Sequence, residues 1–148
     1  MNLQGKIALV TGASSGIGAC FARQLAAKGA DLVVTARRLD RLEALKEEIQ
    51  KRHNVTVHCI GLDLLDPAAP AQLVAQTEDA GLAIDVLINN AGFGTKNTFV
   101  DIPWRRSADQ LQLNIVALTE LTHRYAQAMR ARGRGHIMNV ASVGAYLP

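Results

Sequence analysis

Cysteine is nearly absent from the 148 residues: Cys20 and Cys59 fall in separate apolar segments, so neither a disulfide framework nor a zinc cluster is available. Both read as core thiols. Aromatic side chains make up only 4%, and no apolar run approaches the roughly 20 residues that a membrane-spanning helix requires. The first residues, Met1 to Lys6, carry no apolar segment of the kind a secretory signal contains. A soluble, cytoplasmic protein without a membrane partner is the expectation. Charge is weakly biased, +3 from 16 basic and 13 acidic residues. The arginines come without a basic recognition motif or interleaved aromatics, which argues against nucleic acid as a partner. His53, His58, His123 and His136 show no metal-ligand spacing, so no metal site is expected.

What remains, 49% apolar and 20% charged residues, is the balance of one globular domain. Ile7-Ala8-Leu9-Val10 is a short apolar run followed at once by Thr11-Gly12-Ala13-Ser14-Ser15-Gly16-Ile17-Gly18, the pattern of a buried strand entering a turn. From Ile17 the period changes: Ile17, Cys20, Phe21 and Leu25 mark the apolar face of a helix that Gly29 closes with a left-handed cap. Leu32-Val33-Val34 is a second strand, and Leu42, Leu45 and Ile49 a second helix, opened by a reciprocal Asp40/Glu43 cap.

The alternation continues. Val55 to Ile60 reads as a strand, Asp66-Pro67 opens a helix carrying Leu73 and Val74, and Ile84 to Ile88 is a fourth strand. A long helix begins near Ser107, capped through Gln110, with Leu111, Ile115, Leu118, Thr122, Tyr125 and Met129 as its buried stripe. Gly133 and Gly135 end it, Arg130, Arg132 and Arg134 form a solvated basic face favoured by the helix dipole, and Ile137 to Val140 is a fifth strand. Strands alternating with helices imply right-handed crossovers and an α/β architecture, a Rossmann-type doubly wound parallel sheet.

Glycines at 12, 16 and 18 between a buried strand and a helix permit a tight turn and let the backbone approach a pyrophosphate at the helix N-terminus. Asn114 can be singled out from periodicity alone. At 100° per residue it projects about 40° from Leu118, inside the apolar arc, where a polar group needs partners. Ser142 sits at the carboxyl end of the fifth strand, the edge where ligands of open α/β sheets lie.

The turn preceded by Thr11, the segment Asn89-Asn90-Ala91-Gly92 after strand four and Ser142 after strand five together resemble the classical short-chain dehydrogenase/reductase family, from Lys6 to Ser142. The resemblance implies a nicotinamide dinucleotide on Thr11, Gly12, Ser14, Gly16, Ile17 and Gly18. In that family an acidic residue after strand two grips the ribose of NAD. Here Ala36 is followed by Arg37 and Arg38. A carboxylate would repel a 2′-phosphate, whereas a guanidinium donates charge-assisted, often bidentate, hydrogen bonds to it, so NADP(H) is the expected cofactor. Ser14 or Ser15 adds a hydroxyl contact to the same phosphate. Asp63 and Leu64 match the adenine-binding position, with a turn-forming Asp as the rival reading. Asn90, Ala91 and Gly92 pass along the cofactor, and Asn89 stabilises the sheet. The resemblance makes Ser142 a hydrogen-bond partner of the substrate oxygen and Asn114 the holder of a kink and of a water linked to a lysine. Phe93 and Gly94 are either a wall of the substrate pocket or ordinary loop packing.

The family's proton donor is a tyrosine with a lysine four residues on, which lowers its pKa. Tyr125 is followed four places later by Met129, Tyr146 would need a residue 150, and the last lysine is Lys96. The expectation is therefore an oxidoreductase domain incomplete after its fifth strand, acting in complete form on a small carbonyl or alcohol, as a homo-oligomer. The alternative is an inactive dinucleotide-binding fragment or assembly module. Taken alone the 148-residue chain is expected to be inactive, with strand five an exposed apolar edge that promotes association.

Overall fold

The computed structural model describes residues 2–142. Strands β1 (Ile7–Thr11), β2 (Asp31–Ala36), β3 (Val57–Gly61), β4 (Val86–Asn89) and β5 (His136–Asn139) form one sheet in the order β3-β2-β1-β4-β5. Every pairing is parallel. Helices α1 (Gly16–Ala27), α2 (Leu39–Arg52), α3 (Ala69–Ala75), α4 (Trp104–Leu111) and α5 (Leu118–Ala131) make the crossovers, α4 and α5 being joined by a π-helical segment, Gln112–Ala117. Chain order reverses direction between β1 and β4, which leaves a crevice outside their carboxyl ends.

The two-residue period of the central strands sorts their apolar side chains between two cores. Ala8, Val10, Leu32, Val34 and Ile88 pack with Ala22, Ala26, Leu42, Leu45 and Ile49 of α1 and α2. Leu9, Val33, Ile60 and Leu87 point the other way, onto Leu73 of α3 and Leu121, Tyr125 and Met129 of α5. Both faces are covered, so the strands are continuous apolar runs. Burying each large aliphatic side chain contributes about 1.5–3 kcal/mol, and this is what clamps the β1–β4 switch point in place.

Several local expectations are corrected. The buried face of α1 is Gly18, Ala19, Ala22 and Ala26, while Ile17 and Cys20 are exposed. Small residues win there because the helix start lies hard against the turn. Cys20 is thus a surface thiol, and Cys59 is half-buried, its thiol pushed up to about 11, chiefly by burial. Neither capping box forms: α2 starts at Leu39 without a side-chain cap, and the long helix starts at Trp104, three residues before Ser107. Gln110 instead accepts a hydrogen bond from Thr95 at 3.2 Å. Strand β3 begins at Val57 and β4 at Val86, so Val55 and Ile84 lie outside the ladders.

The π segment also rotates the long helix, so that Leu111 and Ile115, expected inside, are exposed at 48% and 55%. Beyond it the buried stripe is Leu121, Tyr125 and Met129, so Tyr125 and Met129 stand as expected while Leu118 and Thr122 are only half-buried. The basic tail of α5 is not simply solvated. Arg132 forms a two-pronged pair with Glu78 and donates to the Ile84 carbonyl, while Arg134 pairs with Asp85 at 2.9 Å. Gly29 and Gly133 take left-handed backbones (φ +88° and +68°), ending α1 and α5 as their positions in the sequence imply.

Candidate functional site

The carboxyl end of β1 is built around Thr11, which is 1% exposed. Its hydroxyl donates to the Ile88 carbonyl and accepts from the Asn90 and Ala91 backbone N–H groups at 3.0 and 2.9 Å. Asn90 returns the contact, its side-chain amide donating to the Thr11 carbonyl at 2.9 Å. The end of β4 is thereby stitched to the glycine turn. Gly12 has φ +66°, and a Cβ there would sit 2.9 Å from the Ala91 Cα. A Cβ on Gly18 would collide with the Gly12 carbonyl oxygen. Gly16 differs: its φ of +55° requires glycine, yet a Cβ would point into open space. Turn, β4 loop and helix start are therefore packed at backbone distance, while a Cβ at Gly16 would meet nothing.

Next to this turn lies a cavity of about 280 Å³, lined by Ser14, Ser15, Arg37 and Arg38 on one side and by Asp63, Leu64, Ala91 and Gly92 on others. Arg38 donates to the Ser14 hydroxyl at 3.3 Å, and neither Arg37 nor Arg38 has a carboxylate partner among the described residues. Asp63 serves as the turn former its rival reading names, its carboxylate accepting from the Leu65 N–H at 3.1 Å, and it lines the cavity as well. The bias of this wall is cationic, suited to an anion carrying an adjacent flat or apolar group.

A second cavity shares Gly12, Ser15, Ala91, Gly92 and Phe93 with the first and extends over Ile17, Asn90, Gly94, Asn114 and Ser142. Asn114 lies in the π segment and uses both ends of its amide on one residue. Its Oδ1 accepts from the Phe93 N–H at 3.1 Å, and its Nδ2 donates to the Phe93 carbonyl at 2.8 Å. A helix side chain thus acts as a strand partner for the loop after β4, and the π bulge presents it. Ser142 is exposed at the rim of this cavity, at the carboxyl end of the sheet. Asn89 lies beneath, donating to Thr122 and Asn139 at 2.9 Å each, in the sheet-stabilising place expected of it.

The sequence-derived positions line one or both cavities except Thr11, Gly16 and Gly18, of which Thr11 is a buried brace and Gly16 and Gly18 shape the turn. Sequence reasoning missed Thr35, Arg106 and Leu113, which also line the smaller cavity. Thr35 is fully buried, and its hydroxyl has no hydrogen-bond partner among the described residues. Arg106 stands over the Phe93 ring, 4.0 Å from its centroid. Helical spacing does not link Arg106 to Leu113, because Leu113 lies in the π segment, where the 3.6-residue period breaks. Tyr125 is excluded from any site role: it is fully buried, its hydroxyl 2.7 Å from that of Thr77, with burial pushing its pKa well above the ordinary phenol value. Tyr146 lies outside the described residues.

Comparison with known proteins agrees with this geometry. The family description "short chain dehydrogenase" matches residues 6–148. An oxidoreductase of Mycobacterium tuberculosis is 36% identical over 147 residues, covering 96% of this chain and 43% of the relative. L-xylo-3-hexulose reductase of Hypocrea jecorina is 34% identical over 165 residues, covering 96% and 53%. Among solved structures, L-sorbose reductase of Gluconobacter frateurii, complexed with NADPH and L-sorbose, superposes with a TM-score of 0.93 at 32% identity, covering 100% of this chain and 56% of that one. A short-chain dehydrogenase of Sphingobium yanoikuyae in complex with NADPH gives 0.91 at 36% identity, covering 97% and 56%. The chain spans about half the length of the relatives it matches. With the family's match running through turn, sheet and crevice alike, the chain belongs to the short chain dehydrogenases.

Proposed function

We propose that this chain binds NADP(H) and forms the cofactor-binding part of an oxidoreductase that moves a hydride between that cofactor and a small carbonyl or alcohol substrate. The observation that carries the cofactor choice is the wall at the end of β2, where Arg37 and Arg38 face the same cavity as Ser14 without a carboxylate pairing with either arginine. The residues present fit a dinucleotide: a Cβ at Gly12 or Gly18 would have no room, while the open side at Gly16 leaves space. NADPH in the L-sorbose reductase and in the Sphingobium yanoikuyae enzyme supports the same reading.

In this reading Gly12, Ser15, Gly16, Ile17 and Gly18 hold the pyrophosphate, and Ser14, Arg37 and Arg38 hold the 2′-phosphate. Asp63 and Leu64 receive the adenine, with Asn90, Ala91 and Gly92 along the chain of the cofactor. When bound, the cofactor supplies or accepts the hydride. Ser142 hydrogen-bonds the substrate oxygen at the rim of the larger cavity. Asn114 is a positioning residue, fixing Phe93 where the two cavities meet. A proton must also reach or leave that oxygen, and the 148 residues contain no tyrosine with a lysine four places on. The second reading, for the 148 residues taken by themselves, is a dinucleotide-binding fragment or assembly module without turnover.

Fluorescence titration with NADPH and NADH, paired with an assay of NADPH oxidation against a panel of small ketones, tests both. Tighter NADPH than NADH binding is expected, without ketone-dependent oxidation by the 148-residue chain. Equal affinity for the two cofactors would refute the phosphate wall. Turnover would refute the second reading.

A further inference from the structure

We propose that Arg106 stacks on the base of the bound dinucleotide, so that Phe93, the Arg106 guanidinium and the adenine form three parallel layers at one wall of the smaller cavity. The inference rests on the NADP(H) reading above and adds a residue that sequence reasoning did not reach. Three guanidinium groups line this cavity, those of Arg37, Arg38 and Arg106, against the single carboxylate of Asp63. They do not share surroundings. Arg37 and Arg38 follow β2 beside Ser14, whereas Arg106 comes from α4 and meets a lining that includes Leu62, Leu64 and Leu113.

A phosphate wants several N–H donors converging on it, and leucines offer none. A purine wants flat, weakly hydrated surfaces. The guanidinium carbon of Arg106 already lies over the Phe93 ring, 4.0 Å from its centroid. In the proposed complex the side of the guanidinium away from that ring takes the flat surface of the base. Among the described residues Arg106 has no ion-pair partner, so its charge is not committed to a carboxylate. The platform is also set before binding, because both backbone polar groups of Phe93 are held by Asn114 at 3.1 and 2.8 Å. Fixing the backbone that carries the ring lowers part of the ordering cost that a ligand would otherwise meet.

The test is calorimetric titration of the full chain with adenosine 2′,5′-bisphosphate and with inorganic pyrophosphate, which has no base. Arg106→Ala is expected to weaken the bisphosphate about tenfold, the scale of a cation–π contact, and to leave pyrophosphate within about twofold. Arg106→Lys, which keeps the charge and loses the plane, should weaken it nearly as much. Full recovery in Arg106→Lys, or a parallel loss for pyrophosphate, would show a point charge acting on phosphate and overturn the stack. An unchanged bisphosphate affinity in Arg106→Ala would show that Arg106 does not touch the ligand. Phe93→Leu removes the platform from the other side and should also weaken the bisphosphate several-fold, which decides the matter if an Arg106 variant does not fold. Failure of the unaltered chain to bind the bisphosphate would sink the NADP(H) reading itself, and the stack with it.

Discussion

Arg37 and the glycines of the turn make different demands on the molecule, and single substitutions separate them. Arg37 is exposed and has no ion-pair partner among the described residues, so its removal costs the fold little. Arg37→Ala is expected to weaken NADPH binding by about 1–3 kcal/mol, the scale of hydrogen bonds to charged groups, and to leave NADH nearly unchanged. Equal losses for the two cofactors in the same titration would remove Arg37 from the 2′-phosphate. Gly16 and Gly18 are both glycine for reasons of space or backbone, but not the same reason. A methyl at Gly18 meets the Gly12 carbonyl, and α1 would have to move. At Gly16 it meets nothing, and only the left-handed backbone objects, at about 1–2 kcal/mol. Gly18→Ala should therefore lower the urea midpoint more than Gly16→Ala, a ranking that equilibrium denaturation of the two variants checks.

The long helix and the strand starts show how elements, rather than residues, set the site. Asn114 reaches Phe93 because the π segment shifts the helical phase for six residues, and the same shift turns Leu111 and Ile115 outward. At the opposite end of the sheet, Asp85 ties three strands together: it accepts from the Ile7 N–H at 3.2 Å, pairs with Arg134 just ahead of β5 at 2.9 Å, and faces Lys6 at 3.7 Å. Burial opposes its ionisation, but the Ile7 N–H, Arg134 and Lys6 outweigh burial and hold its carboxyl below the ordinary value. A carboxyl depressed in the folded state contributes stability that is complete above the unfolded value of about 3.9 and disappears as pH falls through the folded one. Thermal melts of Asp85→Asn against the parent chain should differ by about 1–3 kcal/mol at pH 7 and converge in acid, below about pH 4. A constant gap across that range would assign the effect to packing alone.

For the molecule as a whole, the sheet has two unequal edges. Among the described residues each edge strand has one partner, β2 for β3 and β4 for β5; β3 is partly buried against α2, whereas β5 is largely exposed, with Met138 at 46%. A parallel sheet normally buries both faces, and an edge strand with bare N–H and C=O groups invites pairing with another chain. The 148-residue chain is expected to sediment as concentration-dependent assemblies, and Met138→Lys, a charge on that strand, to shift it towards the monomer. Monomeric behaviour of the parent at high concentration would show that β5 is not a pairing edge.

Much of this architecture was legible in one dimension, because each strand is a continuous apolar run and each helix changes the period from two to 3.6, signals that survive without any knowledge of neighbours. The same holds for the glycine turn and Asn114, whose residue types are unusual for their places in the pattern, whereas Arg37 and Arg38 stand out only against what the family resemblance implies after strand two. Periodicity could not reveal where the phase breaks. The exposed Leu111 and Ile115, the small-residue face of α1 and the unformed caps at Asp40 and Ser107 were each settled by what packs against the helix, since burial and close backbone approach outweigh the few tenths to about one kcal/mol that local propensity and capping contribute. Arg106 and Thr35 became visible only once α4 and the end of β2 were brought to one cavity. The chain's own letters determined the doubly wound sheet and the cationic end of the crevice. Which side chains face one another across it was decided by tertiary packing, because that depends on contacts between residues far apart in sequence.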